Sequence, residues 1–242
     1  MSPRLQDPQV RTALIDAAAR LLIAEGPSAL TTRRLADEVG TSTMAVYTYF
    51  AGMDDLKRSL RREGFERLAQ NLDAVALSDD PVTDVVALGS AYFFNAITNS
   101  HLYRFMFLEH AEEEPDVGYS TFERLVTAVG RAVEAGRFEG DPLMLASQLW
   151  VMAHGIVTLH IAGLVPLPDA INCLTEMGSN LFVAFGDERE TARASIEEVR
   201  VRVAGEWGGD AALSSPASSI GSHFSLGTDR PEAGKVPGTQ NL

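Results

Sequence analysis

The stretch TTRRLADEVGTSTMAVYTYF, residues 31–50, constrains the fold more than any other part of the chain. Leu35, Ala36 and Val39 fall on one face of a short helix that Thr32 is placed to cap. Gly40 supplies the left-handed residue that ends it, and Thr41 or Ser42 caps the next helix. That helix sets Ala45, Val46, Tyr49 and Phe50 at helical spacing before Gly52 breaks it. A longer helix precedes the pair, with Asp7 as N-cap, Pro8 in its first turn, and Val10, Leu14, Ala17, Ala18 and Leu21 on one face up to Gly26-Pro27. One long helix followed by two short ones across a glycine turn is the layout of a helix-turn-helix.

Helical signals continue along the rest of the chain. MDDLKRSLRREGFERLAQNL carries Leu56, Leu60, Leu68 and Leu72 as the buried stripe of a fourth helix. Further starts fall at Asp80-Pro81, Ser100, Gly118, Asp141-Pro142 and Pro166 to Pro168. After residue 186 a last amphipathic segment sets Ile196, Val199, Val203 and Trp207 on one stripe. No sustained period-2 alternation and no Asn-Gly hairpin signal is found, so the fold class is all-α. The expected division is a three-helix helix-turn-helix head at 1–53, a helical-bundle domain at 54–207, and a disordered Gly/Ser/Pro-rich tail at 208–242. The acidic run EEEPD at 112–116 reads as a solvated loop.

Charge separates these parts. Residues 1–70 hold ten Lys/Arg and nine Asp/Glu, a net of +1, whereas the whole chain carries −13, which leaves −14 for residues 71–242. A head able to approach an anion is thus attached to an acidic body that must be held away from it. The single cysteine, Cys173, excludes a disulfide framework, reads as a buried small hydrophobe, and fits a reducing, cytoplasmic setting. The N-terminal MSPRLQDPQVR lacks the pattern of an export signal. The apolar window 143–165 is long enough for a bilayer, but Gln148, His154 and His160 are costly there, so a buried helix and no membrane partner are expected. Five scattered histidines form no metal-binding pair, and no nucleophile has a matching base; neither cofactor, metal nor enzymatic activity is expected.

Thr32, Leu35-Ala36, Val39-Gly40, Ser42, Val46-Tyr47, Tyr49-Phe50 and Leu56 together resemble the pattern of the TetR family of bacterial transcriptional regulators, strongly over residues 8–60. The resemblance implies a double-stranded DNA operator, palindromic to match a twofold dimer. Thr32 then caps its helix against a phosphate, alongside Ser42, and Arg33 reads a base. Thr43, Met44 and Ala45 open the recognition helix, and Tyr47 and Tyr49 clamp the backbone. The family's lysine at the start of the fourth helix is replaced here by Met53 followed by Asp54 and Asp55, with Lys57 or Arg58 as the compensating charge. Arg4 and Arg11 are further candidates for the minor groove or phosphates, or are simply solvated.

In the body, Tyr92-Phe93-Phe94, HLYRFMF at 101–107, and Trp150 to Gly155 concentrate unusual bulk. Such stripes form plain core or line an apolar cavity between helices. HLYRFMF followed by Trp150, His154 and Gly155 resembles the WHG-type C-terminal domain of some TetR-like regulators. The candidate ligand-binding residues are Tyr92, Phe93, Tyr103, Met106, Phe107, Trp150 and His154, with Arg104 the only charge in these runs. His154 either bonds a neighbouring group or meets the polar end of a ligand, while His110 and His160 read as satisfied helix histidines. The helices at 142–163 and 168–185, with Leu149, Ile156, Leu159, Leu174, Met177, Leu181 and Phe185, are the expected homodimer interface; a monomeric core is the alternative. The expected function is a repressor released from its operator by a small apolar effector. The alternatives are direct activation, or an all-α binding protein or enzyme using the pocket without operator control.

Overall fold

A computed structural model describes residues 8–108 and 117–206. The Asp7 cap, Arg4, His110, the acidic run at 112–116, Trp207 and the tail lie outside the described residues, as does the side chain of Val203. All regular structure among the described residues is helical: α1 (Pro8–Glu25), a short 3-10 turn (Pro27–Ala29), α2 (Thr32–Val39), α3 (Thr43–Tyr49), α4 (Met53–Asp73), α5 (Pro81–Thr98), α6 (Ser100–Phe107), α7 (Tyr119–Glu134), α8 (Pro142–Ile161), α9 (Leu167–Ala184) and α10 (Arg189–Glu206).

Local chemistry sets these boundaries. Asp80 caps α5 by accepting from the Val82 N–H at 3.0 Å, and Asp141 caps α8 by accepting from the Met144 N–H at 3.2 Å. Pro81 and Pro142 take the first positions, where an N–H would be orphaned anyway. The cap of α2 differs from expectation: Thr31, not Thr32, accepts from the Arg34 N–H, at 3.2 Å. Thr31 is the last extended residue, and only that backbone geometry aims the hydroxyl at the third N–H of the helix.

Three apolar clusters hold the molecule together. The first joins Leu14, Ala18 and Leu22 of α1, Leu35 of α2, Val46 of α3 and Leu56, Leu60 and Leu68 of α4 to Leu102, Phe105 and Met106 of α6. The head therefore shares its core with α4 and α6. A second cluster packs α5, α7, α8, α9 and α10 around Phe138, Phe182 and Phe185, and a third gathers Phe93, Tyr103, Ile156 and Val157. Cys173 packs half-buried against this third cluster rather than fully inside it.

α8 is the one described helix long and apolar enough by length and composition to cross a membrane. It packs between α7 and α9, and leaves Leu143, Met144, Val151 and Leu159 exposed on the single chain. His160 is satisfied locally, its Nδ1 2.9 Å from the Val165 carbonyl oxygen.

Candidate nucleic-acid interface and body cavity

The outward surface of the head is built by caps and packing together. Gly40 adopts φ 69° and ψ 36°, turning the chain sharply between α2 and α3, and Ser42 Oγ accepts from the Ala45 N–H at 3.1 Å. Val46 and Phe50 are drawn into the core, which rotates Thr43, Met44 and Tyr47 outward. Met44 is 71% exposed and Tyr47 54%, large apolar surface that a folded domain gains nothing by leaving in water. Arg33 is exposed, Thr32 and Ala45 are half-buried, and Tyr49 is half-buried against the first core cluster. The neighbouring Arg34 is held at 2.7 Å by Glu25.

Three cations of the sequence reading have partners within the fold. Arg11 donates to Ser59 Oγ at 3.0 Å and stacks over the Phe50 ring at 5.2 Å, so it braces α1 on α4 while remaining exposed. At the start of α4, Asp55 accepts from the Ala51 N–H at 3.1 Å, while Lys57 lies 3.9 Å from Asp54 and Arg58 3.6 Å from Asp55. These exposed i,i+3 pairs are weak and can re-partner. A carboxylate-rich helix start is nonetheless a poorer phosphate seat than a lysine there.

Arg33→Ala is expected to lower affinity for a specific site by about 1–3 kcal/mol and to relax preference at one base pair. Competition binding across variant sites checks this. A uniform loss over all sequences reassigns Arg33 to the backbone.

Within the body lies a cavity of about 740 Å³, inside the range that holds a small organic ligand. Its wall includes Tyr92, Phe93, Met106, Phe107 and Trp150 of the expected set. Tyr103 and His154 are not part of that wall. Tyr103 is 2% exposed, and both sit beside Tyr92, whose hydroxyl is 2.9 Å from Tyr103 Oη and 3.1 Å from His154 Nδ1; Tyr103 Oη is 2.6 Å from the same nitrogen. Burial pushes the Tyr103 phenol up to about 12 and that of Tyr92 above its ordinary value, and lowers the His154 imidazole. All three groups are therefore neutral near pH 7.

The wall also holds residues outside the bulky runs, and these correct the expectation of few charges. Arg61 and Phe65 come from α4, Arg124 from α7 and Arg200 from α10, whereas Arg104 is not among the wall residues. Each of these wall arginines has a partner: Arg61 Nε donates to the Met106 carbonyl at 2.9 Å, Arg124 grips Asp73 at 2.6 and 2.7 Å, and Arg200 grips Glu197 at 2.6 Å through two nitrogens. Sequence could have flagged α4 only through its second role: Phe65 and Leu72 belong to the same core cluster as Leu60 and Leu68 and also line the cavity. No cluster of His, Cys, Asp and Glu suited to a metal occurs among the described residues.

An exposed short helix on a capped hinge, carried by a bundle with a largely apolar cavity, defines a helix-turn-helix protein with a ligand-sized body. Residues 14–60 match the model of the tetR family of bacterial regulatory proteins, and residues 85–178 match that of the tetracycline repressor-like C-terminal domain. The chain thus carries a TetR-family helix-turn-helix domain followed by a TetR C-terminal domain. The HTH-type transcriptional regulator Rv1816 of Mycobacterium tuberculosis is 27% identical over 141 residues, 55% of this chain and 59% of that one. The match therefore spans less than two thirds of that relative. A structure of a protein of unknown function from Rhodococcus sp. RHA1 shares the fold at TM-score 0.66 and 22% identity, covering 77% of this chain and 100% of that one. RolR in complex with resorcinol does so at TM-score 0.60 and 17% identity, covering 78% and 93%. TetR-family regulators bind DNA operators and dimerise.

Proposed function

We propose that this protein is a homodimeric transcriptional repressor that leaves a palindromic operator when a small, largely apolar effector enters the body cavity. The observation that carries the reading is the double duty of α4. Its Leu56, Leu60 and Leu68 belong to the core of the head, and its Arg61, Phe65 and Leu72 form part of the cavity wall. A ligand that favours one position of α4 thereby biases the position of the head, and differential affinity for the two arrangements is all that switching requires. In a dimer the heads must lie about 34–36 Å apart to read successive major grooves, so a small shift is enough to lose the operator.

Dimerisation through α8 and α9 is supported by the apolar side chains these helices leave in water, among them Leu143, Met144, Val151, Leu159 and Met177. Thr43, Met44, Ala45 and Tyr47 at the recognition helix, with Thr32, Arg33, Ser42, Tyr49 and Lys57 around it, are the proposed DNA contacts. RolR, which shares the fold, has a structure in complex with the ligand resorcinol, which agrees with a small organic effector here.

Ala153 lines the cavity and is nearly buried, so Ala153→Trp fills effector space from α8 without touching the head. The variant is expected to bind operator as the parent does and to lose release by hydrophobes. Operator-release titrations with a panel of apolar compounds test this, and a response confined to metal ions or polyanions would sink the reading.

A further inference from the structure

The helix α3 carries none of the side chains that read three of the four bases by hydrogen bonding. In the major groove guanine is met by the paired donors of Arg or Lys, adenine by the donor and acceptor of Asn or Gln, and cytosine by the acceptor of Asp or Glu. TMAVYTY, residues 43–49, contains no such residue, and the uncharged run extends from Thr41 to Met53. The C5 methyl of thymine is the one base feature that needs an apolar partner instead.

Packing decides which of these side chains can reach a base edge. Val46 and Phe50 are buried in the head core, and Tyr49 is half-buried against it. Thr43, Met44, Tyr47 and Thr48 are exposed, and Met44, Tyr47 and Thr48 follow the i, i+3, i+4 spacing of one helix face. Thr48 Oγ1 donates its proton to the Met44 carbonyl at 2.9 Å, which leaves that side chain a methyl and lone pairs to offer and no donor. Met44 is 71% exposed and packs in none of the three apolar clusters, so the fold makes no use of its thioether. The cations nearby stand on other helices: Arg34 of α2 is held by Glu25 at 2.7 Å, Arg20 of α1 lies 3.9 Å from Glu38, and Lys57 and Arg58 of α4 lie beside Asp54 and Asp55.

We propose that Met44 reads a thymine methyl in each half-site, so that one A·T pair of the operator is recognised from its thymine strand by carbon contact rather than by hydrogen bonds. The inference rests on the reading of this chain as an operator-binding dimer. Met44 is the specificity-determining residue. Its unbranched, polarisable thioether adapts to a methyl group, and the contact removes apolar surface of both partners from water. Cytosine at that place presents a bare C5–H and an amino donor with no carboxylate to accept it. Guanine and adenine present N7 acceptors to which a thioether has nothing to donate.

Selection of a random-sequence duplex pool on the full chain supplies the probe, and the recovered site is remade with deoxyuridine for thymidine, one position at a time. That change deletes a methyl and keeps every hydrogen-bonding group of the base. The methyl met by Met44 is expected to contribute about fourfold in affinity, and about sixteenfold when both half-sites are changed. Binding should return with 5-bromodeoxyuridine, whose halogen has about the size of the methyl. Met44→Ala should bind the thymidine and deoxyuridine sites equally, and Met44→Gln should move the preference at that position to adenine. Both variants alter an exposed side chain and leave the core intact. Equal affinity of the parent for thymidine and deoxyuridine at every position overturns the proposal and leaves the operator reading standing. A methyl effect that survives in Met44→Ala, or a base preference unmoved in Met44→Gln, does the same. A pool that yields no enriched sequence overturns both.

Discussion

Arg137→Met is expected to destabilise the body by about 3–5 kcal/mol, the range seen when one partner of a buried ion pair is removed. Arg137 follows α7 and grips Asp187 through Nε and Nη2 at 2.6 and 2.7 Å, while its Nη1 reaches Asp80 at 2.7 Å. The Asp187 side chain is 2% exposed, so methionine leaves a desolvated carboxylate without a countercharge. The same guanidinium lies 3.3 Å from Ser195 Oγ, tying the start of α5, the end of α7 and the start of α10 into one joint.

At Asp80 burial works to raise the pKa, but hydrogen bonds from Ser195, the Val82 N–H and Thr83 and the charge of Arg137 outweigh it, so the carboxyl sits below its usual range. A group depressed in this way contributes stability that is fully present above its unfolded value of about 3.9 and is lost as pH falls through the folded-state value. The deficit of the variant should therefore be full at neutral pH and narrow below about pH 4 as Asp80 protonates. Denaturant unfolding at pH 7 and pH 3 checks both parts. A neutral-pH loss under about 1 kcal/mol would assign the cluster the weak energetics of exposed pairs.

Gly118→Ala is expected to cost about 2–4 kcal/mol, combining a left-handed backbone with overpacking. Gly118 adopts φ 99°, and a Cβ there would lie 2.3 Å from Cε1 of Phe65. That ring belongs to α4, lines the cavity and packs edge-on against Phe107 at 5.1 Å, so it cannot yield without disturbing the wall. Phe65→Ala in the same chain removes the clash. The double variant should be more stable than the sum of the two single losses requires, whereas strict additivity in a thermal double-mutant cycle would show that the ring and the glycine do not meet.

Much of the fold was legible in the sequence because its punctuation is local. Asp80-Pro81, Asp141-Pro142, Gly26-Pro27 and Gly40 each act within one helical turn, and each marks a real boundary. Thr31 and Thr32 were indistinguishable because the cap depends on which threonine is the last extended residue. The partners of Arg11 were illegible for a related reason: Ser59 and the Phe50 ring are distant in sequence and approach only when α1 lies on α4. In the body, bulk at 92–107 and 150–154 located the cavity but could not order its depth. Tyr103 and His154 share helix faces with wall residues and still lie behind Tyr92, since helical spacing fixes a direction and not what stands in front. Arg61, Arg124 and Arg200 came from helices that carry no aromatic run.

The 21-residue α4 is also a lever, with a length of about 31 Å at 1.5 Å per residue. Met53 at its head end is roughly 18 Å of helix away from Phe65 at the cavity wall, so a tilt of about 5° pivoting at Phe65 carries Met53 through about 1.6 Å. Two protomers tilting symmetrically would double that displacement between the heads. A ligand contact thus need rearrange no side chain of the head itself: the rigid rod multiplies a displacement too small to disturb either core.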